Sequence, residues 1–83
     1  MNEEEMRKAS KFFKDNSKLV HIEAIEKENS VRFYNGYITE IRPDFLILND
    51  RKLGEMPIFF SHIKVIEPFN LKHEQEFKAW LLD

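Results

Sequence analysis

The chain contains no cysteine among its 83 residues. Without thiols it can form neither a disulfide nor a thiolate metal site, which excludes disulfide-stapled scaffolds and cysteine-based zinc modules. Glycine is almost as scarce, because Gly36 and Gly54 are the only two, and neither belongs to a glycine-rich phosphate loop. The sequence also has no motif that pairs a nucleophile with a base. We therefore expect a protein that is not an enzyme.

Long apolar runs and a surplus of positive charge are also missing. No stretch approaches membrane-spanning length, and the first residues, MNEEEMRK, are acidic with no apolar segment behind them, unlike a signal peptide. We expect a cytoplasmic protein with no membrane partner. The formal net charge is −2, whereas general nucleic-acid binders carry a basic surplus. Any contact with nucleic acid must therefore come from a local surface.

The three histidines do not form a metal-binding pattern. His21, His62 and His73 are scattered, and HEQEF at 73–77 lacks the second histidine of a zinc-protease helix. We expect no metal site and no cofactor. His21 is interpreted as a histidine on a barrel face, and His62 as a turn residue first and a nucleic-acid contact second.

Apolar residues make up 42% of the chain, with eight Phe, and indicate one globular domain over residues 1–83. This length is close to the lower limit for burying an adequate core, so self-association would stabilise the fold. Residues 3–15 predict a helix, because acids fill its first turn and basic residues follow. Met6, Ala9 and Phe13 share its apolar face.

An alternating pattern begins at Leu19 and predicts strands. The β-branched residues and the period of two in LVHIEAI indicate the first strand. Short strands separated by polar turns are typical of a small barrel, here over residues 19–67, and Asn70 can cap a final helix over 70–82. The predicted fold is mainly β with flanking helices: an N-terminal helix, a five-stranded, strongly bent barrel and a C-terminal helix. The predicted strands are 19–25, 31–41, 45–48, 56–60 and 63–68.

Asn35-Gly36, inside the second predicted strand, permits two interpretations. The pair is typical of a type I′ hairpin turn, which would split 31–41 into two stubs of about four residues, shorter than most strands. Alternatively, Gly36 marks a bend in one long strand. The polar segments EKENS (26–30) and RPD (42–44) already supply the chain reversals at each end. We therefore favour the bent strand.

This order of elements, with a glycine inside a long second strand, resembles the Sm-like (LSm) superfamily of small SH3-like barrels. The first Sm motif would comprise Gly36, Ile38, Asp44 and the apolar strand FLIL. The second would be PIFFSHIKVIEP (57–68), so the resemblance covers about residues 4–68.

Two motif positions differ from the family pattern. The asparagine that often contacts a base in family members falls near Phe45 or Ile47. The Arg-Gly or Lys-His pair of the second motif falls on Ser61-His62.

The resemblance implies single-stranded RNA as a ligand and assembly into a homo-oligomeric ring. In such rings the fourth strand of one protomer pairs with the fifth strand of the next, here MPIFF (56–60) with IKVIEP (63–68). Exposed apolar edge strands do seek partners. Pro57 limits the donors that the fourth strand can offer.

The candidates for a local nucleic-acid contact are cations, aromatic residues and polar residues near the two motifs. The cations of the helix would track phosphates, although a solvated helix face explains them as well, and those of the hairpin tip could serve solubility. Aromatic rings could stack on bases or belong to the core. The alternative function is a protein-interaction or structural module with an SH3-like barrel and no nucleic-acid ligand. The candidate residues are Arg7, Lys11, Lys14, Asp44, Phe45, Arg51, Lys52 and His62.

Overall fold

The computed structural model describes residues 2–70, which form one helix and five strands. The predicted helix and the first, second and fifth predicted strands have the observed bounds. The third strand is two residues longer than predicted, and the fourth is shifted toward the N-terminus. The predicted helix 70–82 lies outside the described residues apart from Asn70. The elements are α1 (Glu3–Asp15), β1 (Leu19–Ile25), β2 (Val31–Ile41), β3 (Phe45–Asp50), β4 (Gly54–Phe59) and β5 (Ile63–Pro68), with 3-10 turns at Lys27–Asn29 and Phe60–His62.

The five strands form one antiparallel sheet in the order β4-β3-β2-β1-β5. Within residues 2–70, β4 and β5 are its two edges and do not pair with each other. The sheet is therefore open, and the hydrogen-bonded closure that a complete barrel would need is absent from this part of the chain.

The short connection between the two edges nevertheless requires a strongly curved sheet. Phe59 ends β4 and Ile63 begins β5, and four Cα links span at most about 15 Å. In a flat sheet, strands four positions apart are about 19 Å from each other. The sheet must therefore curl to bring its edges within reach of the 3-10 turn.

β2 is one continuous strand that changes partner at Gly36. Its first part, residues 31–37, pairs with β1, and residues 36–41 pair with β3. The prediction of a long strand is confirmed, and the hairpin interpretation of Asn35-Gly36 is excluded. Gly36 does not have a positive φ, but a Cβ there would lie 1.9 Å from the carbonyl oxygen of Asn49. Glycine is needed because β3 approaches so closely.

Asp50 explains why the third strand runs further than predicted. Its carboxylate is buried and accepts hydrogen bonds from the backbone N–H groups of Asn35 (3.0 Å), Lys52 (2.9 Å) and Leu53 (2.8 Å). A residue type that usually favours a turn thus closes the β3–β4 turn from a position inside the strand. The β3–β4 turn is therefore shorter than the predicted turn over residues 49–55, since only residues 51–53 lie between the two strands. Gly54 takes a φ of 79° directly after this turn.

The core lies between one face of the curved sheet and α1. Asn2 and Glu5 form a capping box that starts the helix. Alternate residues of β1 face the core, as the period-two pattern predicts. On α1, Phe12 lies outside the core and is 57% exposed. The buried apolar residues are Met6, Phe13, Val20, Ile22, Ala24, Tyr34, Ile38, Leu46, Leu48, Ile58, Phe60, Ile63 and Ile66.

Tyr34 is a polar member of this core. Its hydroxyl donates a 2.5 Å hydrogen bond to Oε1 of Glu26, just after the first strand. Burial, followed by this hydrogen bond and the Glu26 charge, raises the pKa of Tyr34 well above its ordinary value. The hydroxyl therefore stays protonated in the folded protein throughout the neutral range.

Candidate nucleic-acid interface

Three aromatic rings meet at the end of the β3–β4 ladder. Phe45 and Phe59 are direct cross-strand partners, and their ring centroids lie 5.6 Å apart. The ring of His62 lies 5.7 Å from that of Phe59, with 59° between the planes. Phe59 is 45% exposed and His62 is exposed as well. We call these three residues the aromatic patch.

Two turns hold the aromatic patch together. The N–H of Phe60, at the start of the second 3-10 turn, donates to the carbonyl oxygen of Asp44 at 3.0 Å. The N–H of Arg42 donates to the carbonyl oxygen of Phe45 at 2.8 Å. The structure thus brings together Asp44, Phe45 and His62 from the sequence-predicted set, with Asp44 supplying a backbone contact.

Phe59 is one of the aromatic residues for which the sequence leaves two roles open, base stacking or core packing. The signal was available, since Ile58 packs inward and the alternation along β4 turns Phe59 to the opposite face. The missing information was the register, which places Phe59 directly beside Phe45.

Arg7 anchors α1 to the same pair of turns. Its Nη2 donates to the carbonyl oxygen of Pro43 at 2.5 Å, and its guanidinium carbon lies 5.1 Å from the ring centroid of Phe60. Its Nε is buried. Much of this guanidinium is therefore used within the chain, which gives Arg7 a structural role; the predicted phosphate contact stays a prediction.

A groove of about 650 Å³ runs between α1 and the end of β2. Two exposed and therefore weak ion pairs join residues of its lining: Lys11 with Asp15 at 3.1 Å and Lys8 with Glu4 at 3.5 Å. Another lining residue, Glu40, pairs with Arg42 at 2.7 Å. Lys14 has no ion-pair partner among residues 2–70. The groove is lined by Glu4, Arg7, Lys8, Lys11, Lys14, Asp15, Glu40 and Ile41.

Arg51 and Lys52 lie away from the aromatic patch. They follow Asp50 at the far end of β3 from Phe45, a separation of about 17 Å along the strand. The guanidinium carbon of Arg51 lies 5.2 Å from the ring centroid of Phe69. The sequence-predicted contacts therefore fall into three groups: the α1 cations, the residues at the patch and the hairpin tip.

The described part of the chain contains no helix that is long and apolar enough to cross a membrane. No protein-family model matches the sequence, and no curated protein is significantly similar to it. The geometry of the patch and the groove therefore carries the functional argument.

Proposed function

We propose that this chain is a non-enzymatic, Sm-like domain that binds single-stranded RNA. An N-terminal helix, a long second strand that changes partner at Gly36, and β4 and β5 at the sheet edges support the Sm-like assignment. The strong curvature required by the short β4–β5 connection supports the barrel character of the sheet.

The observation that carries the RNA proposal is the aromatic patch. Exposed aromatic side chains stack on nucleobases with little sequence preference, and each stacked base contributes about 1–3 kcal/mol. Phe59, with 45% of its surface exposed, would be the main platform. Phe45 and His62, with ring centroids within 5.7 Å of it, would extend the platform to a second base.

The cations of the groove would hold the phosphates. Glu40 and Ile41 line the groove and directly precede the turn that leads to Phe45, so the groove and the patch border one turn. Lys11 can exchange its exposed ion pair with Asp15 for a phosphate at little cost, and Lys14 forms no ion pair among the described residues. This local arrangement would allow RNA binding despite the net charge of −2.

Fluorescence anisotropy with labelled oligo-U and oligo-A tests this proposal. Phe59→Ala should weaken binding by about 5- to 150-fold, the equivalent of one base stack removed, and leave the salt dependence unchanged. Phe12→Ala is the matched control, because Phe12 is also an exposed phenylalanine but lies on α1. Equal affinities for the Phe59 and Phe12 variants would contradict the assignment of the patch.

Charge reversal tests the groove separately. Lys11→Glu combined with Lys14→Glu should weaken binding and reduce the salt slope by about one unit for each phosphate that the protein no longer binds. If the double variant had the affinity and salt slope of the wild type, the groove would not be part of the RNA interface. The Phe59→Ala variant would still test the aromatic patch separately.

The two open edges also support self-association, and they favour a second candidate function as a protein-interaction module. β4 and β5 have one unpaired side each within the described chain, and strand edges of this kind recruit further strands. Pro57 pairs with Ile47 and cannot donate to a neighbour, so β5 would supply more of the donors. Light scattering should show an oligomer. A strict monomer that binds no RNA at low salt would favour the protein-interaction module.

A further inference from the structure

A buried histidine lies on the sheet face opposite the core, away from the aromatic patch. His21 is completely buried, and the ring of Phe33 stacks on it with centroids 5.6 Å apart and 26° between the planes. Asn35 of β2 and Glu67 of β5 are its direct partners in the two ladders that flank it. Glu23 follows two residues later on the same face.

Both ring nitrogens of His21 face oxygen atoms. Its Nδ1 lies 2.7 Å from Oδ1 of Asn35, and its Nε2 lies 3.0 Å from Oε2 of Glu23. In the described orientation of the Asn35 amide, its Nδ2 is buried without a hydrogen-bond partner among the described residues, and its oxygen accepts from Nδ1–H of His21. A neutral ring in this tautomer turns the lone pair of Nε2 toward a carboxylate oxygen. Two such atoms at this distance repel each other unless a cation lies between them, and either a proton or a metal ion meets that need.

The arrangement around Nε2 fits a metal ion. His21, Glu23 and Glu67 each offer one ligand atom, and these atoms lie within 4.8 Å of one another. Ligands of tetrahedral Zn²⁺ are about 3.3 Å apart, since the metal–ligand bonds are about 2.0–2.2 Å long. Small rotations of the two glutamate side chains, which are only half-buried, would close the remaining gap.

The charge of the two carboxylates and the orientation of the His21 ring also favour a metal ion. Two carboxylates face the imidazole, and a divalent ion bound by all three ligands would balance the charge of the two carboxylates. Metal-bound histidines usually donate their other ring N–H to an oxygen that fixes the ring, and Asn35 fulfils this role for His21. Asn35 is itself held by its backbone N–H, which donates to Asp50 at 3.0 Å.

We infer that His21, Glu23 and Glu67 form a binding site for one divalent transition-metal ion, with Zn²⁺ as the best fit. One imidazole and two carboxylates match the ligand preferences of Zn²⁺ better than those of Mg²⁺, which favours all-oxygen octahedral sites. The site joins β1 to β5 and is independent of the RNA-binding surface. Such a site would depart from the expectation from sequence, which was that the chain holds no metal.

Isothermal titration calorimetry of the full chain with ZnCl₂, after treatment with a chelator, tests this inference. We expect one Zn²⁺ per chain, a higher melting temperature with Zn²⁺, and reversal of that shift by EDTA. Glu23→Gln and Glu67→Gln preserve side-chain size and should each weaken Zn²⁺ binding about tenfold or more. Glu55→Gln, an exposed position on β4, is the matched control, and His62→Ala removes the exposed histidine as a competing ligand.

Two results would overturn the inference. Either the wild-type chain binds no Zn²⁺, or the Glu67→Gln and Glu55→Gln proteins bind Zn²⁺ equally strongly. NMR of the histidine ring nitrogens identifies the cation directly. Zn²⁺ should replace the proton signal of His21 Nε2 and leave Nδ1 protonated. Two ring protons on His21 that persist in excess Zn²⁺ would show that a proton occupies the site instead.

Discussion

Replacing Gly36 by alanine should break the close approach on which the bend of β2 depends. The new Cβ would lie 1.9 Å from the carbonyl oxygen of Asn49 and 2.7 Å from its carbonyl carbon. Both are backbone atoms, so no side-chain rotation can relieve the overlap. The strands must separate until the first distance reaches at least 3.0 Å, the lower limit of real Cβ contacts. This displacement would lengthen the hydrogen bonds beside the Gly36–Asp50 pair beyond their normal range.

The expected destabilisation is about 1.5–6 kcal/mol. It combines about 1–3 kcal/mol for overpacking with about 0.5–1.5 kcal/mol for each of one or two hydrogen bonds that break. An 83-residue domain has a stability of about 4–12 kcal/mol, so the substitution would remove a large share of it and would unfold a protein at the lower end of that range. Urea unfolding followed by circular dichroism measures the difference.

Gly54→Ala provides the control. No atom lies within 4 Å of a Cβ at Gly54, but its φ is 79°, so the destabilisation should be about 1–2 kcal/mol from backbone strain alone. A Gly36→Ala protein as stable as the wild type, or more stable than the Gly54→Ala protein, would refute the close-approach argument.

Substitutions at Asp50, Tyr34 and Arg7 test other interactions by the same unfolding assay. Asp50→Ala should cost about 3 kcal/mol, because three backbone N–H groups are deprived of their acceptor; Asp50→Asn should cost less, since one amide oxygen remains. Tyr34→Phe should cost about 1 kcal/mol at neutral pH. The raised pKa of Tyr34 makes its contribution complete below the unfolded value of 10.0 and lost as the pH rises further, so the wild type should lose stability in alkali faster than Tyr34→Phe. Arg7→Lys should cost about 1–2 kcal/mol through the contacts with Pro43 and Phe60, whereas Lys8→Ala should stay within about 0.5 kcal/mol.

Much of the fold follows from local patterns in the sequence. The bounds of β1, β2 and β5 are predictable because alternating apolar residues end at polar turn segments. The ends of β3 and β4 are not, since Asp50 uses its side chain to close the turn from within the strand. Gly36 was correctly placed inside a strand, but the reason for glycine there, the backbone of Asn49, comes from a partner that the sequence does not identify.

The candidate site is less predictable because its members are distant in sequence. Aromatic residues near the two motifs could be selected, yet Phe59 joins Phe45 only through the β3–β4 register. Arg7 is one of the helix cations that the sequence suggests as phosphate contacts, and only the packing of α1 on the Pro43 turn shows its hydrogen bond within the chain. The proposed metal ligands are also distant in sequence. Glu67 lies beside His21 because the first and last strands of the chain, β1 and β5, pair with each other.

The most direct test of the RNA-binding proposal is an NMR titration of the ¹⁵N-labelled protein with oligo-U at low salt. The proposal predicts shift changes concentrated at residues 42–45 and 59–62, with smaller changes at Lys11 and Lys14, and their disappearance as salt increases. Residues 51–53 at the hairpin tip should change little. An absence of shift changes at low salt, or changes confined to the hairpin tip, would contradict the proposed interface.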